Sequence, residues 1–142
     1  MNIEQIKAII NNDYPLVSNL SNVSAVLNTI PDIIWCGFYL VKEDALYLGP
    51  FQGEVACTKI PFDKGICGRC YQRKETIIID NVLEDKDHIA CSSASRSEIV
   101  TPIISGDKVV ALIDIDSPFF DRFTEDDKKL LEAVAKELSS LF

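Results

Sequence analysis

SEIVTPIISGDKVVALIDIDS (Ser97–Ser117) decides how this chain is read. Its apolar runs, SEIVTPIIS and KVVALIDID, flank the turn Ser105-Gly106-Asp107, and apolar runs around a Gly-bearing turn predict a β-hairpin. Downstream, FTEDDKKLLEAVAKELSSLF predicts a helix. Thr124 caps it, Glu125 to Asp127 put negative charge at the positive end of its dipole, and Leu130, Leu131, Val134 and Leu138 form an inner stripe. Upstream, DIIWCGFYLV (Asp32–Val41) reads as a strand apolar on both faces, with Ala45–Leu48 and Gly53–Ile60 as further strands and TIIID as a short one. KGICGRCYQRK reads as a loop entering a short helix. Ile3, Ile6 and Ile9, then Leu16, Val17, Leu20, Val23 and Leu27, recur at helical spacing until Pro31. Helices at both ends therefore bracket a mostly antiparallel central sheet. The expected class is α+β, in one domain over residues 1–142.

Composition narrows the partners. With 142 residues and 47% apolar content, the chain holds a core that needs no metal or disulfide staple. A formal net charge of −8 argues against nucleic acid and against an anionic membrane surface. The N-terminus carries Glu4 and Lys7 where a signal peptide needs an apolar run, and nothing approaches a membrane span. The expected compartment is the reducing cytoplasm, where the Asn-x-Ser matches at Asn19 and Asn22 carry no weight. Five cysteines, Cys36, Cys57, Cys67, Cys70 and Cys91, are then free thiols, metal ligands or redox groups, with buried thiol the ordinary state.

Several constellations offer chemistry. Cys67-x2-Cys70 with His88-x2-Cys91 would make a Cys3His zinc set on paper, but no metal is expected. Cys67-Gly-Arg-Cys70 looks like a thioredoxin-type dithiol without the parallel βαβ setting such motifs need. Asp114 and Asp116, two apart in a strand, share one face. They mark either a strand emerging into solvent or a carboxylate pair at a pocket rim, suited to an ammonium group. Glu98 opens the preceding strand and converges with them if the hairpin pairs as read. Trp35 and Tyr39 share a face as aromatic core or as a pocket wall. The polar, irregular segment from Asn81 to Ser97 holds His88, the sole histidine, and Cys91; long polar loops in compact domains are usually functional or mobile.

These residues fall into motifs: WCGFYL, VACTKIPFDKGICG, HIAC, SRSEIV and IDIDS, with Cys57, Cys67 and Cys91 spaced ten and twenty-four residues apart. Through them the chain, from about Ile33 to Asp116, resembles the free methionine-(R)-sulfoxide reductases, which are single GAF domains. The resemblance implies a GAF fold and reduction of free methionine-(R)-sulfoxide through a cysteine sulfenic acid and a disulfide. It implies Cys91 as nucleophile, Cys57 as resolving cysteine, and Cys67 as a third redox cysteine with a competing claim to direct catalysis. Glu98, Asp114 and Asp116 would hold the substrate ammonium and surround the sulfoxide oxygen. Trp35, with Tyr39 nearby, would wall the S-methyl group, and backbone amides around Ile89, Ala90 and Cys91 would receive the carboxylate.

The resemblance also implies no bound cofactor, thioredoxin (itself NADPH-linked) as external reductant, and a homodimer through the terminal helices. The chain departs from the family in Cys36 and Cys70, in EDKDHIAC where Pro-Gly usually precedes the histidine, and in Ser92 at a commonly acidic position. The alternative is a non-catalytic GAF module that binds a small molecule or senses redox state. A sensor of that kind is expected to carry an output domain, which does not follow the last helix here.

Overall fold

The structure, a computed structural model, describes residues 1–89 and 93–142. The hairpin forms as the sequence predicts. Strands β5 (Ser97–Ser105) and β6 (Lys108–Ser117) pair antiparallel, with Glu98 opposite Asp116 and Val100 opposite Asp114. Strand β1 (Trp35–Val41) pairs with the other edge of β6, setting Trp35 against Asp116 and Gly37 against Asp114. With β2 (Leu46–Gln52), β3 (Lys59–Ile60) and β4 (Ile77–Ile79), the strands form one sheet in the order β3-β2-β1-β6-β5-β4, every pair antiparallel.

Period-two alternation sends the strands' residues to two different surroundings. Cys36 and Phe38 of β1, Ile99 and Ile103 of β5, and Ala111, Ile113 and Ile115 of β6 all point to one side. There they meet α1 (Ile3–Ile9), α2 (Leu16–Leu27) and α4 (Glu125–Leu138) through Ile6, Leu20, Val23, Leu131, Val134 and Leu138. Each such side chain, fully buried, contributes about 1.5–3 kcal/mol. The helices start where the sequence signals them: Asn2 with Gln5 and Thr124 with Asp127 form capping boxes. On the other side α3 (Gly65–Arg73) packs over β5 and β6 through Ile66, Cys67 and Cys70.

Some boundaries differ from expectation. The strand read over Gly53–Ile60 shrinks to Lys59–Ile60, because residues 53–58 leave the sheet to wrap its open side. The strand read over Ala45–Leu48 instead runs to Gln52. A register shift against β1 between Gly37 and Tyr39 gives β2 an extra residue there and accommodates Pro50, which has no N–H to donate. A one-turn 3-10 helix, Val82–Glu84, interrupts the polar loop.

Candidate functional site

The open side of the sheet is not filled. A cavity of about 280 Å³ lies between β1, β5, β6, the first turns of α3 and the loop residues 54–56, 88–89 and 94–95. Its floor follows from strand register. Glu98, Asp116 and Trp35 stand in one cross-strand row, and Val100, Asp114 and Gly37 in the next. Gly37 matters there: a Cβ would come within 2.4 Å of Phe51 Cβ and 2.9 Å of the Trp35 ring. Its missing side chain lets the indole lie along the strand, stacked against Phe51 at 5.4 Å and Tyr39 at 6.1 Å between ring centroids. The indole N–H donates to Glu54 O at 3.1 Å, and the Tyr39 hydroxyl donates to Cys57 O at 2.9 Å, so both rings are fixed.

The acidic residues converge. The Cys67 thiol, from α3, donates to Asp114 Oδ2 at 3.6 Å, and Ser95 Oγ–H to Asp116 Oδ1 at 3.4 Å. His88 Nε2 lies 3.8 Å from Glu98 Oε1. Asp114 Oδ1 is buried with no hydrogen-bond partner among the described residues. Burial, then the Asp114 charge and that of Asp116, holds the Glu98 carboxyl well above the usual range. Burial and Asp114 do the same to Asp116. Asp114 is raised by burial, but Glu98, Cys67 and His88 all pull it back, which makes it the carboxyl of the three best suited to carry charge. Burial and Asp114 push the Cys67 thiol well up, so it rests protonated. Burial lowers His88 despite Asp85 and Asp114, which favours a neutral imidazole. Among the described residues lining the cavity none is Lys or Arg.

The loop that forms one wall is tied to α3. Arg69 donates to both carboxylate oxygens of Asp85, at 3.0 and 2.9 Å, and to Asp87 at 3.3 Å. Asp85 also accepts the Asp87 N–H at 3.0 Å. Two residues past Asp87, Ile89 packs against Gly65, whose φ of +68° suits glycine and where a Cβ would sit 3.0 Å from Ile89 Cδ1.

Of the residues singled out in the sequence, Trp35, Tyr39, Cys67, Ile89, Glu98, Asp114 and Asp116 line this one cavity. Cys57 sits beside it, next in sequence to the lining residue Ala56, and is disulfide-bonded. Cys36, Cys67 and Cys70 are free thiols. Ala90 and Cys91 lie outside the described residues. Cys70 turns away, donating to Val100 O at 3.6 Å within the core. Sequence reasoning passed over His88 and Ser95 as cavity residues; the one available signal was a single histidine inside the long polar loop.

Comparisons with known proteins bear on this geometry. The GAF domain family model matches residues 21–142. The chain is 38% identical over 150 residues to the free methionine-R-sulfoxide reductase of Escherichia coli, covering 99% of this chain and 91% of that one. It is 46% identical over 129 residues to the free methionine-R-sulfoxide reductase of Saccharomyces cerevisiae, covering 84% and 72%. The crystal structure of free methionine-R-sulfoxide reductase from Neisseria meningitidis in complex with its substrate matches with a TM-score of 0.93 at 41% identity, covering 99% and 85%.

Proposed function

This chain belongs to the GAF-domain family of free methionine-R-sulfoxide reductases, and on that premise we propose that it reduces free L-methionine-(R)-sulfoxide to methionine, with residues 1–142 acting as one domain. The observation that carries the reading is the buried carboxyl cluster Glu98/Asp114/Asp116 facing an aromatic wall in a cavity lined by no Lys or Arg among the described residues. Such a site is electrostatically matched to an ammonium group with an apolar S-methyl end. Asp114 and Asp116 bind the ammonium, Trp35 and Tyr39 wall the methyl, and main-chain amides around Ile89, Ala90 and Cys91 take the carboxylate.

In the first step the Cys91 thiolate attacks the sulfoxide sulfur. That attack forms a sulfur–sulfur bond while the neutral Glu98 carboxyl protonates the sulfoxide oxygen; the hydroxyl then passes to the Cys91 sulfur as the sulfur–sulfur bond and the substrate's sulfur–oxygen bond break, leaving Cys91 as a sulfenic acid. Methionine leaves. The Cys57 thiol condenses with the sulfenic acid, forming a disulfide and releasing water, with Cys67 as the alternative partner. That Cys57 is disulfide-bonded while Cys67 is a free thiol supports Cys57 in the resolving role. A dithiol donor of the thioredoxin type, kept reduced by NADPH, then exchanges with the disulfide and restores both thiols. The setting is cytoplasmic, and a homodimer through the terminal helices is supported by the exposure of Tyr14 and Val17 at the start of α2.

The test is turnover of separated methionine sulfoxide diastereomers with thioredoxin, thioredoxin reductase and NADPH. The R isomer of the free amino acid is consumed; the S isomer and peptide-bound sulfoxide are not. A Cys91→Ser variant that keeps full turnover overturns the assignment of the nucleophile, and absence of R-isomer turnover by the wild type overturns the function.

A further inference from the structure

We propose that the same cavity captures a zinc-type divalent cation through Cys67, Glu98 and Asp114, and that this cation and the ammonium-bearing ligand exclude one another. The Cys67 sulfur and one carboxylate oxygen each from Glu98 and Asp114 lie within 4.8 Å of one another, and all three residues are buried. The Cys67 Sγ to Asp114 Oδ2 distance is 3.6 Å. In a tetrahedral zinc centre, bond lengths of about 2.3 Å to sulfur and about 2.0 Å to oxygen put those ligands about 3.5 Å apart. The open cavity leaves the fourth position to solvent; His88 Nε2, 3.8 Å from Glu98 Oε1, stands outside this group of three.

A second observation points the same way. Asp114 is only 6% exposed, lines the cavity, and leaves Oδ1 without a partner among the described residues. A buried carboxylate oxygen with no donor is costly, and a cation coordinated there removes that cost. The donor set selects the metal. Magnesium and calcium take oxygen ligands, whereas a thiolate beside carboxylates suits zinc. Binding is not a redox event: the Cys67 thiol loses its proton to solvent as the sulfur–metal bond forms, and any carboxyl proton held by Glu98 is released with it. The cation takes the positions assigned above to the substrate ammonium. Metal capture stands on this geometry alone, while its effect on turnover rests on the reductase reading.

Co2+ serves as the visible probe. Reduced, chelator-treated protein is titrated with Co2+, and the complex is challenged with Zn2+ and separately with free methionine. The expected result is a saturable thiolate-to-cobalt charge-transfer band that Zn2+ abolishes and free methionine displaces. The band is lost in Cys67→Ser and in Asp114→Asn, and retained in Cys70→Ser and Cys91→Ser. Near-UV circular dichroism establishes that each variant is folded, and slower alkylation of Cys67 in wild type with Zn2+ gives a readout independent of any variant. Absence of the band, its survival in Cys67→Ser, or its loss in Cys91→Ser with retention in Asp114→Asn overturns the proposal. In turnover, Zn2+ raises the apparent KM with kcat unchanged. A protein that reduces the sulfoxide but shows no cobalt band refutes the metal site alone; one that shows the band but no turnover refutes the reductase alone.

Discussion

One sheet serves two purposes on its two sides, and β6 carries both in alternate residues. Ala111, Ile113 and Ile115 face the helices, are fully buried and belong to the apolar core there. Leu112, Asp114 and Asp116 face α3 and the cavity, where Asp114 is nearly as buried yet meets a thiol and two other carboxyls. The first side contributes stability through packed apolar area. The second costs stability, since carboxyls out of water must stay protonated or find a cation. The contrast can be broken by substituting neighbours. Asp114→Asn, or Glu98→Gln, should lower kcat/KM by about 10²–10³-fold, the scale for loss of one preorganised polar group, while raising the melting temperature. Ile113→Ala should do the reverse, losing about 2–5 kcal/mol of stability with kcat/KM of the folded fraction unchanged. Thermal melts and steady-state kinetics on the same preparations check both. A destabilised Asp114→Asn with normal kinetics would remove the distinction between the two sides.

The cavity side should also set the pH dependence of stability. Glu98, Asp114 and Asp116 all have folded-state pKa values raised above their unfolded ones, burial being the largest cause. Groups raised in this way favour the folded state fully below the unfolded carboxylate pKa. That contribution is lost as pH rises through the folded values, because the native chain then holds more protons than the unfolded one. Asp85 has the opposite sign: Arg69 holds its pKa down, so its contribution is lost as pH falls. Urea denaturation of ligand-free protein should therefore show stability declining from mildly acidic to neutral pH, with a shallower decline in Glu98→Gln and in the presence of free methionine. A stability rising steadily over that window, unchanged in Glu98→Gln, would mean the cluster ionises without cost.

Much of this division was legible in the sequence because strand alternation is a local rule. Asp114 and Asp116 had to share a face, and Glu98 had to lie near them once the Gly106 turn fixed the register. The helices were legible from their apolar spacing, and the last of them also from its Thr124 cap. Less legible was whatever depends on chain outside regular structure. Residues 53–58 have the composition of a strand, yet they leave the sheet, with Glu54, Val55 and Ala56 forming cavity wall. The strand read over Ala45–Leu48 runs on to Gln52, because a register shift absorbs Pro50. His88 joined the site through a tertiary approach to Glu98 that no local pattern encodes.

The tie between α3 and the cavity loop is a smaller lever on the same contrast. Arg69 and Asp85 are largely buried, at 21% and 13% side-chain exposure, and their bond is bidentate. It ties Asp85 and Asp87, just before His88, to α3, so the ion pair restrains this part of the loop from outside. Arg69→Met should cost about 1–3 kcal/mol, the range for hydrogen bonds to charged groups. It should lower kcat by about tenfold, because misplacing a loop at the reacting centre weakens orientation. Arg69→Lys, which keeps the charge and loses the fork, should fall between wild type and Arg69→Met. Equal kinetics for all three proteins would make the pair purely structural.

The smallest effect expected is at Cys36, the counterpart of Cys67 on the helix-facing side. Both thiols are buried and free. Cys36 donates to Ser24 O at 3.4 Å, and burial first, then Asp114, pushes its pKa up to about 12. Cys67 is raised by the same two causes but opens onto a cavity that reagents and ligands can enter. Cys36→Ala should leave turnover unchanged. In native wild-type protein, Cys36 should be alkylated only as fast as the whole domain opens, since its cover is the core itself. Cys67 should be alkylated faster, and free methionine should slow it without slowing Cys36. Mass-mapped alkylation over time separates the two. If methionine protected both thiols equally, ligand binding would be stabilising the whole domain rather than closing one side of the sheet, and burial alone would no longer tell a core thiol from a site thiol.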